Sequence, residues 1–290
     1  MRKLMICLTL LAGGLAGSAS ASDDRAIFIT GSTTLIPIVS NAANVFMDRY
    51  PTWRDYNPEW PERPVLIELS GGGSGQGVRA VLDGAAHAGM VSRELRDAEL
   101  ERLGEHEAVL VGIDAVAIAA HRDNPLHGHY TNFSTAELAR IFSGEVGRYS
   151  ALGNGLPDRE IVLLVRDASA GSAVMIQNRI LGDTPVSSRA LQMNSQGQLV
   201  RTLTDNTSSF AYISLGLVNA REDLKAFAID GVEASDANVV NGSYDLSRPM
   251  YVVTQATDNR YLRAFLDFLL DDEGQAIVVD QGYIPVRAAD

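Results

Sequence analysis

The sequence predicts an α/β protein of two lobes, with mixed, mainly parallel sheets and a two-strand hinge. Short apolar strands repeatedly run into glycine- or serine-bearing turns and then into helical faces, the rhythm of open α/β sheets. The 290 residues exceed what one hydrophobic core comfortably fills. Composition is that of a globular chain, 46% apolar and 21% charged, with no low-complexity tract to set aside as linker.

The chain opens on a leader. Arg2 and Lys3 form a positive start, residues 4–17 an apolar stretch, and Ala19, Ser20 and Ala21 a small-residue cleavage site, so residues 1–21 read as a signal peptide and the mature chain begins at Ser22. The one cysteine, Cys7, lies inside that leader, which leaves an exported protein that needs no disulfide and fits a bacterial periplasm. Loss of Arg2 and Lys3 takes the basic count from 24 to 22 against 36 acidic residues, so the formal charge goes from −12 to −14. Such a surface repels polyanions and makes nucleic acid a poor partner. A small anion remains admissible, because helix ends and hydrogen-bond donors act at contact distance whereas the net field is screened over about 8 Å.

Residues 26–29 read as a first buried strand ending at Thr30 and Gly31. Leu35, Val39, Ala42, Ala43 and Phe46 then recur at helical spacing until Arg49, Tyr50 and Pro51 stop the helix. Residues 51–64 hold four prolines and two tryptophans and read as a loop or extended link. A second strand over 65–69 enters the turn SGGGSGQG before a helical face at Val78, Val81 and Leu82, and a third over 88–91 ends at Ser92 and Arg93 before a short helix over 98–103. The apolar run 109–120 is a central strand. Ser134 with Glu137 makes a capping box for a helix through Phe142. Residues 161–165 form another buried strand followed by RDASAGSAVMIQNRIL; strands over 210–215 and 250–253 and an amphipathic helix over 261–270 follow, and the chain closes on GYIPV.

Four turns share one character: GSTT at 31–34, GGGSG at 71–75, VSR at 91–93 and RDASAGS at 166–172. In open α/β sheets ligands bind beyond the carboxyl ends of strands, where helix N-termini offer unpaired amides and a dipole that favours anions. Serine and threonine hydroxyls add donors without charge, and Arg166, following the apolar strand, offers a planar fork that matches a tetrahedral oxyanion. A lone hydroxyl at a helix start is ordinarily only a cap. Arg93 has the plainer role of ion-pair partner to Glu94 or Asp97, and Arg166 the same with Asp167.

At these residues the chain resembles the periplasmic phosphate-binding proteins of bacterial ABC-type phosphate importers. The resemblance runs through GSTTLIPI, SGGGSGQGVRAVLDGAAHAGMVSREL, FSTAELARIFSGEV, NSQGQLVRTLTDNTSSFAYISLGLV, LSRPMYVVT and FLDFLLDDEGQAIVVDQGYIPV, in that order. It implies a two-lobed type II periplasmic binding protein that clamps phosphate or a similar oxyanion and hands it to a membrane permease as a monomer, without cofactor or metal. It further implies contacts from Thr33, Thr34 and the Leu35 amide in the first turn, Ser74 in the second, Ser92 and Arg93 in the third, and Arg166, Gly171 and Ser172 in the fourth. Three positions depart from the family pattern. Ala170 stands where a contacting serine is expected, with Ser169 placed to compensate; His87 replaces an acidic residue; and GMVSRE lacks the aspartate that in some relatives accepts the proton of hydrogen phosphate.

A hydrolase of phosphate esters on the same fold is the rival reading, and an adhesion or sensing role a third. The hydrolase elbow needs glycines two residues either side of the nucleophile, whereas Ser74 is flanked by Gly72 and Gln76. His121, His127 and His129 share one loop without the spacing of a metal site and read as surface histidines. The expected lobes are 25–114 with 249–290 and 115–248, the chain crossing near Ile113 and Pro249.

Overall fold

The computed structural model describes residues 26–255 and 259–286; the expected signal peptide at 1–21 lies outside the described residues. The strands are β1 (Ile27–Gly31), β2 (Ile67–Gly71), β3 (Ala88–Val91), β4 (His106–His121), β5 (Asn132–Phe133), β6 (Val162–Arg166), β7 (Leu191–Met193), β8 (Ser209–Ser214), β9 (Leu224–Ile229), β10 (Ser247–Gln255) and β11 (Ile284–Pro285). The helices are α1 (Ile36–Arg49), α2 (Trp53–Tyr56), α3 (Ser74–Leu82), α4 (Asp97–Leu103), α5 (Thr135–Phe142), α6 (Gly171–Ile176), α7 (Gln196–Asp205), α8 (Leu215–Asn219), α9 (Asp236–Val240), α10 (Arg260–Leu270) and α11 (Asp272–Asp280). The strands join in one curled sheet of order β2-β1-β3-β10-β4-β8-β6-β7.

The sheet is mixed in a way that follows from chain routing. Each wing is parallel, β2-β1-β3 on one side and β8-β6-β7 on the other, because strand-turn-helix units return strands in the same direction. The long strands β4 and β10 run antiparallel to each other through the middle, from Ser247↔Ala115 to Gln255↔His106. Two large hydrophobic cores flank them, with a smaller cluster of Val78, Val81, Val91, Leu103 and Val253 beside the first. One gathers residues between Ile27 and Val111 with Met250 to Tyr283; the other gathers Ala115 to Leu246 with Ile284.

Local chemistry explains the elements that place the turns. Helix α1 buries Ile38, Val39, Ala42, Ala43 and Phe46 on one stripe and tolerates Pro37 in its first turn, where no amide partner is lost. Phe46 meets Phe265 and Phe268 of α10 at centroid separations of 5.7 and 5.3 Å, so the expected apolar stripe of α10 is core. The α5 capping box forms as expected: Ser134 Oγ accepts from the Glu137 amide at 3.2 Å, and Glu137 Oε2 from the Ser134 amide at 2.8 Å.

The segment read as a loop after Pro51 contains a helical turn. Thr52 donates to Asp55 through both its amide and its hydroxyl, and Trp53 packs on Tyr261 at 4.6 Å, so the aromatic pair turns proline-rich chain into a packed corner. At the other end, Tyr283 donates to the Thr34 carbonyl at 3.1 Å, tying the C-terminal strand to the first turn.

Candidate anion site

The four hydroxyl-bearing turns converge. Ser32 Oγ accepts from the Thr34 amide at 3.2 Å and donates to Ser92 Oγ at 2.8 Å, and the Ser92 amide donates to Ser74 Oγ at 3.0 Å. Thus turns separated by 60 and 18 residues are joined by one chain of hydroxyls, all buried. Leu35, not a hydroxyl residue, occupies the N-cap of α1, so the threonines ahead of it are free of the capping role.

The second wall meets the first. The Arg166 guanidinium donates to Thr33 Oγ1 at 3.1 Å through Nη1, to the Met193 carbonyl at 2.9 Å through Nε, and to Asp167 Oδ2 at 3.1 Å and the Asn194 carbonyl at 3.2 Å through Nη2. Burial pulls its pKa down and Asp167 opposes that pull, while an arginine remains protonated in either case. Its own amide donates to the Tyr212 hydroxyl at 2.8 Å, a phenol whose pKa burial pushes up to about 12.

Thr33 Oγ1 accepts a second hydrogen bond at 3.3 Å from the Gln196 amide, the first residue of α7. A hydroxyl has two lone pairs and one hydrogen, so with both lone pairs engaged its hydrogen is left to donate outward. Ser172 Oγ, 1% exposed, has no partner among the described residues. Two glycines let the walls touch. A Cβ on Gly171 would lie 2.2 Å from the Ser92 carbonyl oxygen, and Gly73, at φ 93°, would put one 2.6 Å from Ser169 Oγ.

Three of the expected contacts are placed differently from the rest. Arg93 is committed to Glu99, its Nη1 and Nη2 lying 2.7 and 2.6 Å from the two carboxylate oxygens, with a further bond to the Glu94 carbonyl. The partner is thus Glu99, two residues beyond Asp97 and five beyond Glu94, the two acids considered from sequence. Ser169 Oγ sits between Asp167 Oδ1 and the Gly72 carbonyl, and its own carbonyl accepts from the Gly75 amide at 3.2 Å, so it fastens one wall to the other. The Leu35 amide donates to the Ser32 carbonyl at 3.2 Å. Asp167 forms the pair with Arg166 that the sequence offered as the plainer reading; pairing and anion contact are compatible, since the fork has five donors.

One charged residue was missed. Arg248 on β10 has a side chain only 1% exposed and donates to Asp114 Oδ2 through Nε at 3.0 Å and Nη2 at 2.6 Å, to Thr34 Oγ1 at 3.1 Å and to the Ser92 carbonyl at 3.3 Å. Burial pushes Asp114's carboxyl pKa up, against the pull of Arg248, the Ser214 hydroxyl at 2.6 Å and the Ala115 amide. Arg93, Arg166, Arg248 and Tyr212 also border a cleft of about 1070 Å³.

The Arg93 pair gives a pH prediction. Burial raises Glu99's pKa, but bonds from Arg93 and the Arg96 amide outweigh it and hold the carboxyl below its ordinary 4.5. A lowered carboxylate pKa contributes stability above the unfolded value that is lost as pH falls through the folded one. The stability gap between wild type and Glu99→Gln, measured by urea denaturation, is therefore full above pH 4.5 and closes as the solution is acidified below it.

Two cores, a pair of crossing strands and donor-rich turns facing each other across the joint define a two-lobed binding protein. The family model described as "PBP superfamily domain" matches residues 16–273, and the chain belongs to that superfamily. It is 28% identical over 89% of its length to the phosphate-binding protein PstS of Bacillus subtilis, covering 80% of that protein, and 27% identical over 99% to the one of Pseudomonas aeruginosa, covering 96%. A crystal structure of a substrate-binding protein from Clostridium perfringens with bound phosphate superposes with a TM-score of 0.76 at 27% identity, covering 90% of this chain and all of that one.

Proposed function

We propose that this chain is a solute-binding protein that captures phosphate, or a related tetrahedral oxyanion, between two lobes for delivery to an ABC importer. The observation that carries the reading is the saturation of Thr33 Oγ1 by Arg166 and the Gln196 amide, which leaves its hydrogen free to donate beside a buried guanidinium. Such a set lacks a free base and is rich in donors, which suits an anion and gives no nucleophile its activating partner. The relatives' names place phosphate first among tetrahedral guests.

In this reading Thr33, Thr34, Ser74 and Ser92 line one wall and Arg166, Gly171 and Ser172 the other, with the Leu35 amide at the head of α1. Arg93 and Ser169 serve the walls rather than the anion. The lobes divide where β4 and β10 cross, near Ile113 and Pro249, and a ligand that contacts both walls shifts the population toward closure by its differential affinity for that state. Among the described residues no helix is long and apolar enough to cross a membrane, and a role as a monomer in the periplasm, with a membrane permease as partner, completes the proposal.

Thermal unfolding tests it. Phosphate at 100-fold over its Kd stabilises the folded state by about 2.7 kcal/mol, read as a raised Tm. A chromogenic phosphate ester yields no product at a rate that follows protein purity. An unmoved Tm at millimolar phosphate contradicts the receptor, and purity-tracking product release favours the hydrolase.

A further inference from the structure

We propose that the Gln196 carboxamide sets the selectivity of the anion site. Oε1 accepts the hydrogen of a protonated oxyanion such as hydrogen phosphate, and Nε2 donates to one of its unprotonated oxygens. The proposal rests on the oxyanion reading above and assigns a residue that the sequence motifs did not single out.

Gln196 is 1% exposed, and neither Oε1 nor Nε2 has a hydrogen-bond partner among the described residues. An enclosed amide left without partners is costly, so such a group is retained where a guest satisfies it. Its position supports a guest at this site. Gln196 opens α7, and its main-chain amide donates to Thr33 Oγ1, the same atom that receives Arg166. The donor-rich turn, the guanidinium and the main-chain amide of Gln196 therefore meet at one atom, and the carboxamide is carried by the same residue.

The chemistry of the guest requires an acceptor. Phosphate near neutral pH carries one or two P–OH hydrogens, while sulfate carries none, so a site made only of donors leaves a P–OH facing other hydrogens. The carboxylates and carbonyls around the turns already receive donors. Asp167 Oδ1 receives the Ser169 amide and hydroxyl, and Oδ2 receives Arg166. Asp114 receives Ser214 and Arg248, and the Met193 and Asn194 carbonyls receive Arg166. Gln196 Oε1 remains. It accepts a P–OH, whereas toward sulfate it faces a second lone-pair bearer, a mismatch that buried polar sites punish heavily.

Calorimetric titration at pH 7 of wild type, Gln196→Leu and Gln196→Glu with phosphate and with sulfate tests this, with thermal unfolding to confirm that each variant is folded. Gln196→Leu is expected to lower phosphate affinity by about 10- to 100-fold while changing sulfate affinity little. Gln196→Glu, an added acceptor with a charge, is expected to keep phosphate preference over sulfate and to shift best phosphate binding to lower pH, where the guest carries more hydrogens. Equal losses for both anions in Gln196→Leu, or unchanged phosphate affinity, overturn the role of Gln196 alone. A folded wild-type protein that binds no phosphate overturns the oxyanion reading itself and this inference with it.

Discussion

Alanine at Arg166 lowers phosphate affinity by at least about 30-fold, the effect expected when a buried, hydrogen-bonded charge is removed from a binding site. The guanidinium is the charged donor to Thr33 Oγ1, and it also orders the Met193 and Asn194 carbonyls that lead into α7, so its loss removes both charge and wall geometry. Lysine keeps the charge but not the planar fork, so Arg166→Lys recovers only part of the affinity. Arg93→Ala is expected to be far milder, because that fork is spent on Glu99. Equal losses at Arg93 and Arg166 in parallel titrations would contradict this ranking.

Asp114→Ala destabilises the fold by about 3–5 kcal/mol, because it strands Arg248 in the interior as an uncompensated charge. Urea denaturation reads the loss as a lower midpoint at unchanged slope. The pair replaced as a whole, Asp114→Leu with Arg248→Met, recovers most of that stability, since well-packed apolar side chains replace a buried ion pair at little cost. Phosphate affinity does not recover with it. Arg248 donates to Thr34 Oγ1 and the Ser92 carbonyl, so the double variant folds with two turns of the first wall unsupported. A double variant that binds like wild type would show that Arg248 serves only the fold.

Much of the fold was legible where local rules and tertiary packing agree. The run from Ile27 to Arg49 declares strand, glycine turn and amphipathic helix, and Ser134 with Glu137 declares a capped start. The short pieces were less so: α2 exists because Trp53 packs on Tyr261, more than 200 residues away, and no window of sequence carries that. The ends of β4 and β10 extend past their apolar runs because the two strands pair with each other along their length.

The site divides the same way. Thr33, Ser74, Ser92 and Arg166 sit in turns whose composition announces donors, and they meet. Arg248 was silent because its partners lie 134, 156 and 214 residues away, and a lone arginine in LSRPMYVVT looks like any other. Gln196 was silent for a related reason: a glutamine at the start of a helix is ordinary, and what marks it is the enclosure of its carboxamide without a partner among the described residues. The fate of Arg93 turned on Glu99, which sequence offers as one acidic neighbour among several.

Anomalous diffraction from crystals soaked in arsenate, a heavier twin of phosphate, locates the guest directly. A single strong peak within hydrogen-bonding distance of Arg166 and of hydroxyls from both walls, Thr33 or Ser92 on one side and Ser172 on the other, is the expected result. A peak on another face of the molecule, or none in the joint between the two cores at saturating arsenate, would contradict it.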